Sequence, residues 1–195
     1  MLLAIDTSAG TSVAVVDAGR VLAEADEPGT RRHAEAIGTL LHAALADAGL
    51  EPGQITGVVA GMGPGPFTGL RVGIAAARAF AFGIGVPVHP VVSHDAIAFG
   101  HEERVLVVTD ARRREVAWSL YDPGVHRLDG PELCLREGFP EIASRHPGVS
   151  VLAPPTVSAA SLGLVAELLL AAGRPLGPSE ALYLRAPDVT LPVPK

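Results

Sequence analysis

Gly61-Met62-Gly63-Pro64-Gly65-Pro66-Phe67-Thr68-Gly69-Leu70-Arg71-Val72-Gly73 joins an apolar run, Ile55 to Ala60, to a helical pattern, Leu70 to Phe82. Glycine permits close backbone approach and proline fixes φ, so this loop is shaped yet stiff. A glycine loop between a buried strand and a helix suits phosphates and anions, because its backbone N–H groups can converge on a charge. It equally suits a structural turn that lets the following helix, 69–83, pack close to a sheet. Pro64 and Pro66 each remove one donor, which weakens the loop as an anion nest. Both readings stay open on the loop alone.

Outward from the loop, strands and helices alternate. Leu2 to Ile5, Thr11 to Val16 and Arg20 to Ala25 read as a three-stranded meander, with Gly10 and Asp17-Ala18-Gly19 as turns. A helix is predicted over 32–48, its stripe formed by Ile37, Leu40, Leu41, Ala44 and Leu45 and its stop by Gly49. Val86 to Val92 reads as a strand, and Ser93 as the N-cap of a helix through about Phe99. Val105 to Asp110 repeats the opening pattern of apolar strand then aspartate, and Val116 to Tyr121 is its hairpin partner. Residues 122–148 are turn-rich and without periodicity. Val149 to Leu152 reads as a strand, 159–172 as a helix, and 174–195 as an extended tail wrapping a surface. The order predicts an α/β protein of two related lobes, each a mixed sheet flanked by helices, at 1–102 and 103–195.

Composition narrows the chemistry. The chain has 195 residues, 48% of them hydrophobic but only 4% aromatic, so its core rests on Ala, Val, Leu and Ile. A net charge of −6 argues against a free-standing nucleic-acid binder. Lys195 is the only lysine, which excludes a Walker A loop and a pyridoxal Schiff base. Cys134 is the only cysteine, so no internal disulfide forms. No apolar run reaches transmembrane length and residues 1–20 carry Asp6 and Asp17, so a cytoplasmic protein away from membranes is expected.

Candidate chemistry is sparse. Asp6-Thr7-Ser8, at the end of the first strand, offers a carboxylate and hydroxyls that could hold a magnesium-phosphate or could close an Asx turn. With Gly63, Gly65, Thr68 and Gly69 these residues make a candidate vestigial nucleotide or anion site, a relic turned to scaffolding. Arg112-Arg113-Arg114 could meet phosphate, or could form a solvated turn with Arg113 or Arg114 paired to Glu115 or another carboxylate. No histidine pair stands at i,i+4 on a helix and no HExxH or GxSxG occurs, so a catalytic metal site is not expected.

The strings LLAIDTSAGTSVAVVD, RRHAEAIGTLL, GMGPGPFTGLRVGIAAARAFAFG, VVSHDAIA and VVTDARRREVAWSLYD together resemble the bacterial TsaB (YeaZ) family. The resemblance implies an actin/Hsp70/sugar-kinase (ASKHA) fold. It also implies a non-catalytic subunit that activates TsaD, which transfers threonylcarbamoyl to A37 of tRNAs reading ANN codons, with TsaE joining the complex. Pairing would use helices 33–48 and 69–83, through Ala34, Ile37, Leu41, Leu70, Ala75, Arg78, Ala79 and Phe82. A homodimer is expected in isolation, tRNA is met only through the complex, and no cofactor is expected beyond ATP or ADP at the complex interface. TsaD-like catalysts carry a His-x-x-x-His pair where this chain has His94 and Ala98, and kinase relatives carry glycine soon after the aspartate where it has Asp110-Ala111-Arg112. It also departs from the TsaB pattern at Pro66 and at Val151 to Pro155. The competing readings are an autonomous nucleotide-dependent enzyme or peptidase, and a tRNA-binding module acting through Arg112 to Arg114.

Overall fold

The structure is a computed structural model that describes residues 1–28 and 33–185. Five strands make the first sheet: β1 (Leu2–Asp6), β2 (Thr11–Asp17), β3 (Arg20–Glu27), β4 (Gly57–Gly61) and β5 (Val88–Val91). Their order is β3-β2-β1-β4-β5, antiparallel among the first three and parallel from β1 through β4 to β5. β1 is buried on both faces, so its sequence is a continuous apolar run instead of an alternating one. Alternate residues still serve different cores. Leu3 and Ile5, with Val13, Val15, Val58 and Ala60, pack beneath α1 (His33–Asp47) and α2 (Phe67–Ile84). Leu2 and Ala4, with Ala14, Val16 and Val59, face the opposite core.

That opposite core is shared by both sheets. The second sheet consists of β6 (Val105–Asp110), β7 (Glu115–Asp122), β8 (His126–Leu135) and β9 (Ser150–Leu152), in the order β8-β7-β6-β9. Its strands repeat the antiparallel-then-parallel pattern of the first sheet, with β6 in the place of β1. The repeat of apolar strand and aspartate is therefore a repeat of topology. Between the sheets lie α3 (Ser93–Ala98) and α5 (Ala159–Ala171). On the outer face of the second sheet, Leu106, Trp118 and Leu120 pack under α4 (Phe139–Ser144). This is the arrangement of two mixed sheets flanked by helices that the sequence predicts.

Three expectations need correction. Residues 122–148 hold a ten-residue strand, β8, and the short helix α4. Gly130-Pro131 breaks β8's pattern in mid-strand, where an edge strand tolerates proline and its ladder to β7 is irregular. Second, the division at residue 102 puts α5 with the second lobe, yet α5 packs on the first sheet. A Cβ on Gly163 would stand 2.7 Å from Val16 and 3.4 Å from Ala4. Third, α2 is, by length and composition, long and apolar enough to span a membrane. Here Gly69, Leu70, Gly73, Ile74, Ala77 and Ala81 are its buried stripe, seated on the sheet as in a core helix.

The start of α5 is fastened to the first sheet by polar contacts. Glu24 Oε1 accepts from Ser12 Oγ (3.1 Å), Ser158 Oγ (2.8 Å) and the Ala160 N–H (3.1 Å). Ser158 also caps the helix through the Ser161 N–H. A carboxylate at a helix N-terminus adds favourable dipole energy. Glu24→Ala is expected to cost about 1 kcal/mol, discounted for solvent exposure. Urea unfolding checks this, with Glu24→Gln recovering part of the loss.

Candidate functional site

The turn after β1 sits against the glycine loop and the first turns of α2. Asp6 is buried, and its two carboxylate oxygens are fully used. Oδ1 accepts from the Ser8 N–H (2.7 Å) and Ser8 Oγ (2.6 Å), and Oδ2 accepts from Ser93 Oγ (2.6 Å). Ser93 Oγ in turn accepts from the Gly63 N–H at 3.0 Å. Ser93 is therefore the first residue of α3 instead of its cap, and its hydroxyl bridges the glycine loop to Asp6. Burial pushes the Asp6 carboxyl up from its ordinary value, against the pull of the Ser8 and Ser93 hydrogen bonds. Thr7 Oγ1 donates to the Gly69 carbonyl at 2.7 Å.

The glycines have a physical use in this packing. A Cβ at Gly61 would overlap the Asp6 carboxylate, and one at Gly73 would overlap the Thr7 hydroxyl. A Cβ at Gly65 would lie 2.8 Å from the Ser8 backbone, and one at Gly69 2.7 Å from the Thr7 carbonyl. The space that a phosphate would need beside the loop is occupied by the chain's own Asp6-Thr7-Ser8. The residues present do not fit a magnesium-nucleotide at this position, and Thr68 stands apart, exposed on the outer side of α2. The sequence reading had both halves of this contact but not their partnership. The signal was the spacing Gly61, Gly65, Gly69, Gly73, which puts the last two on one helical face where another chain can come close.

A cleft of about 450 Å³ opens on the other side of the loop, walled by Pro64, Gly65, Pro66 and Phe67 and by Ala111, Arg112, Arg113 and Ala117 of the second lobe. Arg112, Arg113 and Arg114 all have left-handed φ (66°, 51° and 65°), where an L side chain is disfavoured. Glu115 pairs with Arg185. Asp110, the counterpart of Asp6, is exposed and pairs with Arg136.

Two histidines are held by hydroxyl groups. His94 is completely buried, its Nδ1 2.8 Å from Ser119 Oγ and its Nε2 2.8 Å from Thr109 Oγ1. Burial, with the Arg127 charge behind it, lowers its pKa to about 3, so the ring is neutral. His33 Nδ1 lies 2.7 Å from Thr11 Oγ1 and is likewise lowered by burial. Among the described residues no three His, Cys, Asp or Glu side chains are grouped to hold a metal. Cys134 is a free thiol on β8, raised by burial.

The helix residues assigned to a partner face divide in two. Ala34, Ala75, Arg78, Ala79 and Phe82 are exposed, Phe82 at 90%. Leu41 is half-buried. Ile37 and Leu70 are core residues, at 8% and 0% exposure, and cannot meet a partner. The apolar stripe alone does not distinguish core from interface. Arg78 is exposed but engaged, donating to the Ser179 carbonyl at 2.8 Å.

Comparison with known proteins adds the family. The profile of TsaD, tRNA N6-adenosine threonylcarbamoyltransferase, matches residues 21–134. TsaB of Haemophilus influenzae, a tRNA threonylcarbamoyladenosine biosynthesis protein, is 37% identical over 124 residues, which is 60% of this chain and 52% of that protein. The structure of YeaZ from Pseudomonas aeruginosa superposes with a TM-score of 0.73 at 27% identity, covering 88% of this chain and 92% of YeaZ. The chain belongs to the TsaB (YeaZ) family. An uncharacterized protein of Mycobacterium tuberculosis is similar along nearly the whole length, 40% identical over 96% of this chain and 92% of its own. A Mycobacterium leprae relative is 39% identical, and this chain spans 55% of it.

Proposed function

We propose that this TsaB-family chain is a non-catalytic subunit in tRNA threonylcarbamoyladenosine biosynthesis, the partner and activator of a TsaD protein that modifies A37 of ANN-decoding tRNAs. The observation that carries this reading is the filled cradle. Asp6, Thr7 and Ser8 spend their polar atoms on one another, on Ser93 and on Gly69, which supports a scaffolding role for this turn. What the same helix offers outward is a face of small residues, Ala75 and Ala79, ending in the exposed ring of Phe82. Small side chains admit close helix–helix approach, and an aromatic at the edge is a typical anchor of binding energy.

In this reading α1 and α2 seat against TsaD, and TsaE joins the pair. The isolated chain forms a homodimer through the same face, tRNA is bound only through the complex, and any ATP or ADP belongs to the subunit boundary. The setting is cytoplasmic. Co-purification with TsaD of the same cell is the direct test. Failure to form a complex, under conditions where another TsaB–TsaD pair forms one, sinks the reading. Phe82→Asp is expected to weaken the complex about 30-fold, as loss of an interface anchor does. Isothermal titration of TsaD into each variant measures it, and an unchanged affinity removes Phe82 from the interface.

A further inference from the structure

Among the described residues, a common core joins the two lobes on one side. Between the sheets, α3 and α5 fill a common core, and His94 ties α3 to the second sheet. On the far side the lobes are separated by the cleft beside the glycine loop. The segment 177–185 runs over the first lobe to this cleft, which Tyr183, Leu184 and Arg185 line. It begins on the first lobe, where the Gly177 N–H donates to the Pro90 carbonyl at 2.8 Å. It then crosses α2, where Arg78 holds the Ser179 carbonyl, and the Leu182 N–H reaches the Met62 carbonyl at 2.8 Å.

At the cleft the segment is gripped by an aromatic stack. The Tyr183 ring lies 4.8 Å from that of Phe67, the first residue of α2, and the Arg71 guanidinium sits 3.8 Å over Phe67 while its Nε donates to the Tyr183 hydroxyl at 3.3 Å. Two residues on, Arg185 leaves the first lobe and pairs with Glu115, at the start of β7 in the second. Both partners are about 30% exposed, so this pair is screened less than a surface pair.

We propose that residues 177–185 form a latch that sets the spacing of the two cleft walls, with Tyr183 as its anchor on the first lobe and the Arg185–Glu115 pair as its catch on the second. The geometry assigns the parts. Tyr183 and Arg185 are adjacent but one, yet each is committed to a different lobe, and α2, which carries Phe67, Arg71 and Arg78, is the helix that the latch crosses. The setting of that helix relative to the second lobe therefore follows the state of the catch. This part of the inference rests on the proposed function, in which α2 meets TsaD.

Hydrogen exchange on the full chain tests the latch. Arg185→Glu is expected to raise amide exchange about fivefold in residues 112–118 and in 62–67, the two walls of the cleft, and not in β1. The charge swap Arg185→Glu with Glu115→Arg is expected to restore protection, a result that loss of packing alone does not give. Unchanged exchange in Arg185→Glu, or a swap as open as the single variant, overturns the latch. Tyr183→Leu, which keeps an apolar plug but loses the stack, serves where a charge variant folds poorly: raised exchange in the same two walls supports the latch, and unchanged exchange overturns it. A second arm titrates TsaD. An affinity reduced in Arg185→Glu and recovered in the swap supports coupling of the latch to the partner face, whereas equal affinities overturn the coupling. A wild-type chain that does not bind TsaD overturns the proposed function instead, and leaves the latch judged by exchange.

Discussion

Between pH 6.5 and pH 4.5 the protein is expected to lose about 2 kcal/mol of folding stability through His94 alone. The side chain titrates near 6.5 when unfolded and at about 3 when buried between Thr109 and Ser119. The unfolded chain therefore takes up a proton that the folded chain refuses. Stability from this residue is complete above the unfolded value and falls as the pH drops toward the folded one. Asp6 and Asp95 act in the opposite sense, because burial raises both carboxyls and their protonation in acid relieves a cost of folding. The contribution of His94 is thus read as a difference. His94→Gln keeps an amide that can meet both hydroxyls but has no proton to gain. It is expected to be less stable near neutrality and to lose less as the pH falls. Urea unfolding of both proteins across this range measures the two slopes, and parallel slopes refute the assignment.

Replacing Gly73 with valine is expected to remove about 3 kcal/mol or more of stability. The added atoms would enter the space of the Thr7 hydroxyl, and with it the hydrogen bond from Thr7 to the Gly69 carbonyl. Neither side can yield easily, since Thr7 is buried and α2 is pressed on the sheet along Leu70, Ile74 and Ala77. Gly83, on the same helix, is the control. Nothing lies within 4 Å of the position its Cβ would take, so Gly83→Ala is expected to stabilise by about 0.5–1 kcal/mol through helix propensity. Equal effects of the two substitutions would mean that the Thr7 contact does not hold α2 in place. Gly69→Val belongs with Gly73. Its Cβ would meet the Thr7 carbonyl at 2.7 Å and the His33 ring at 3.1 Å, so it harms folding before it harms any complex.

The parts of the fold that could be read in the sequence were those where one local rule governs. Leu2 to Asp6 and Val105 to Asp110 are apolar runs cut by aspartate, and both are central strands. The stripe of Ile37, Ala44 and Leu45 marks the helix that covers the sheet. What failed was decided by tertiary contact. Gly130-Pro131 hides β8 because only an edge strand accepts it, and edge position is not a local property. Ser93 has the sequence context of a helix cap, but a hydroxyl goes to the strongest acceptor in reach, which here is the Asp6 carboxylate. Ile37 and Leu70 were sent to an interface because an apolar residue on a helix does not say which of two apolar surfaces it meets. Lying in 186–195, the last part of the expected tail falls outside the described residues. Arg32, where the first helix was expected to start, falls outside them as well.

Ser93 and His94 are neighbours on one short helix, yet Ser93 is bonded to Asp6 of the first sheet and His94 to Thr109 and Ser119 of the second. One peptide unit thus acts as a pivot pin between two plates. Material near the pin can barely move, while displacement grows with distance from it. The lobes would swing like shears, with the rim of the cleft at the blade tips. A ligand that seeks to change the angle between the sheets has its greatest leverage there, and none at the buried pair.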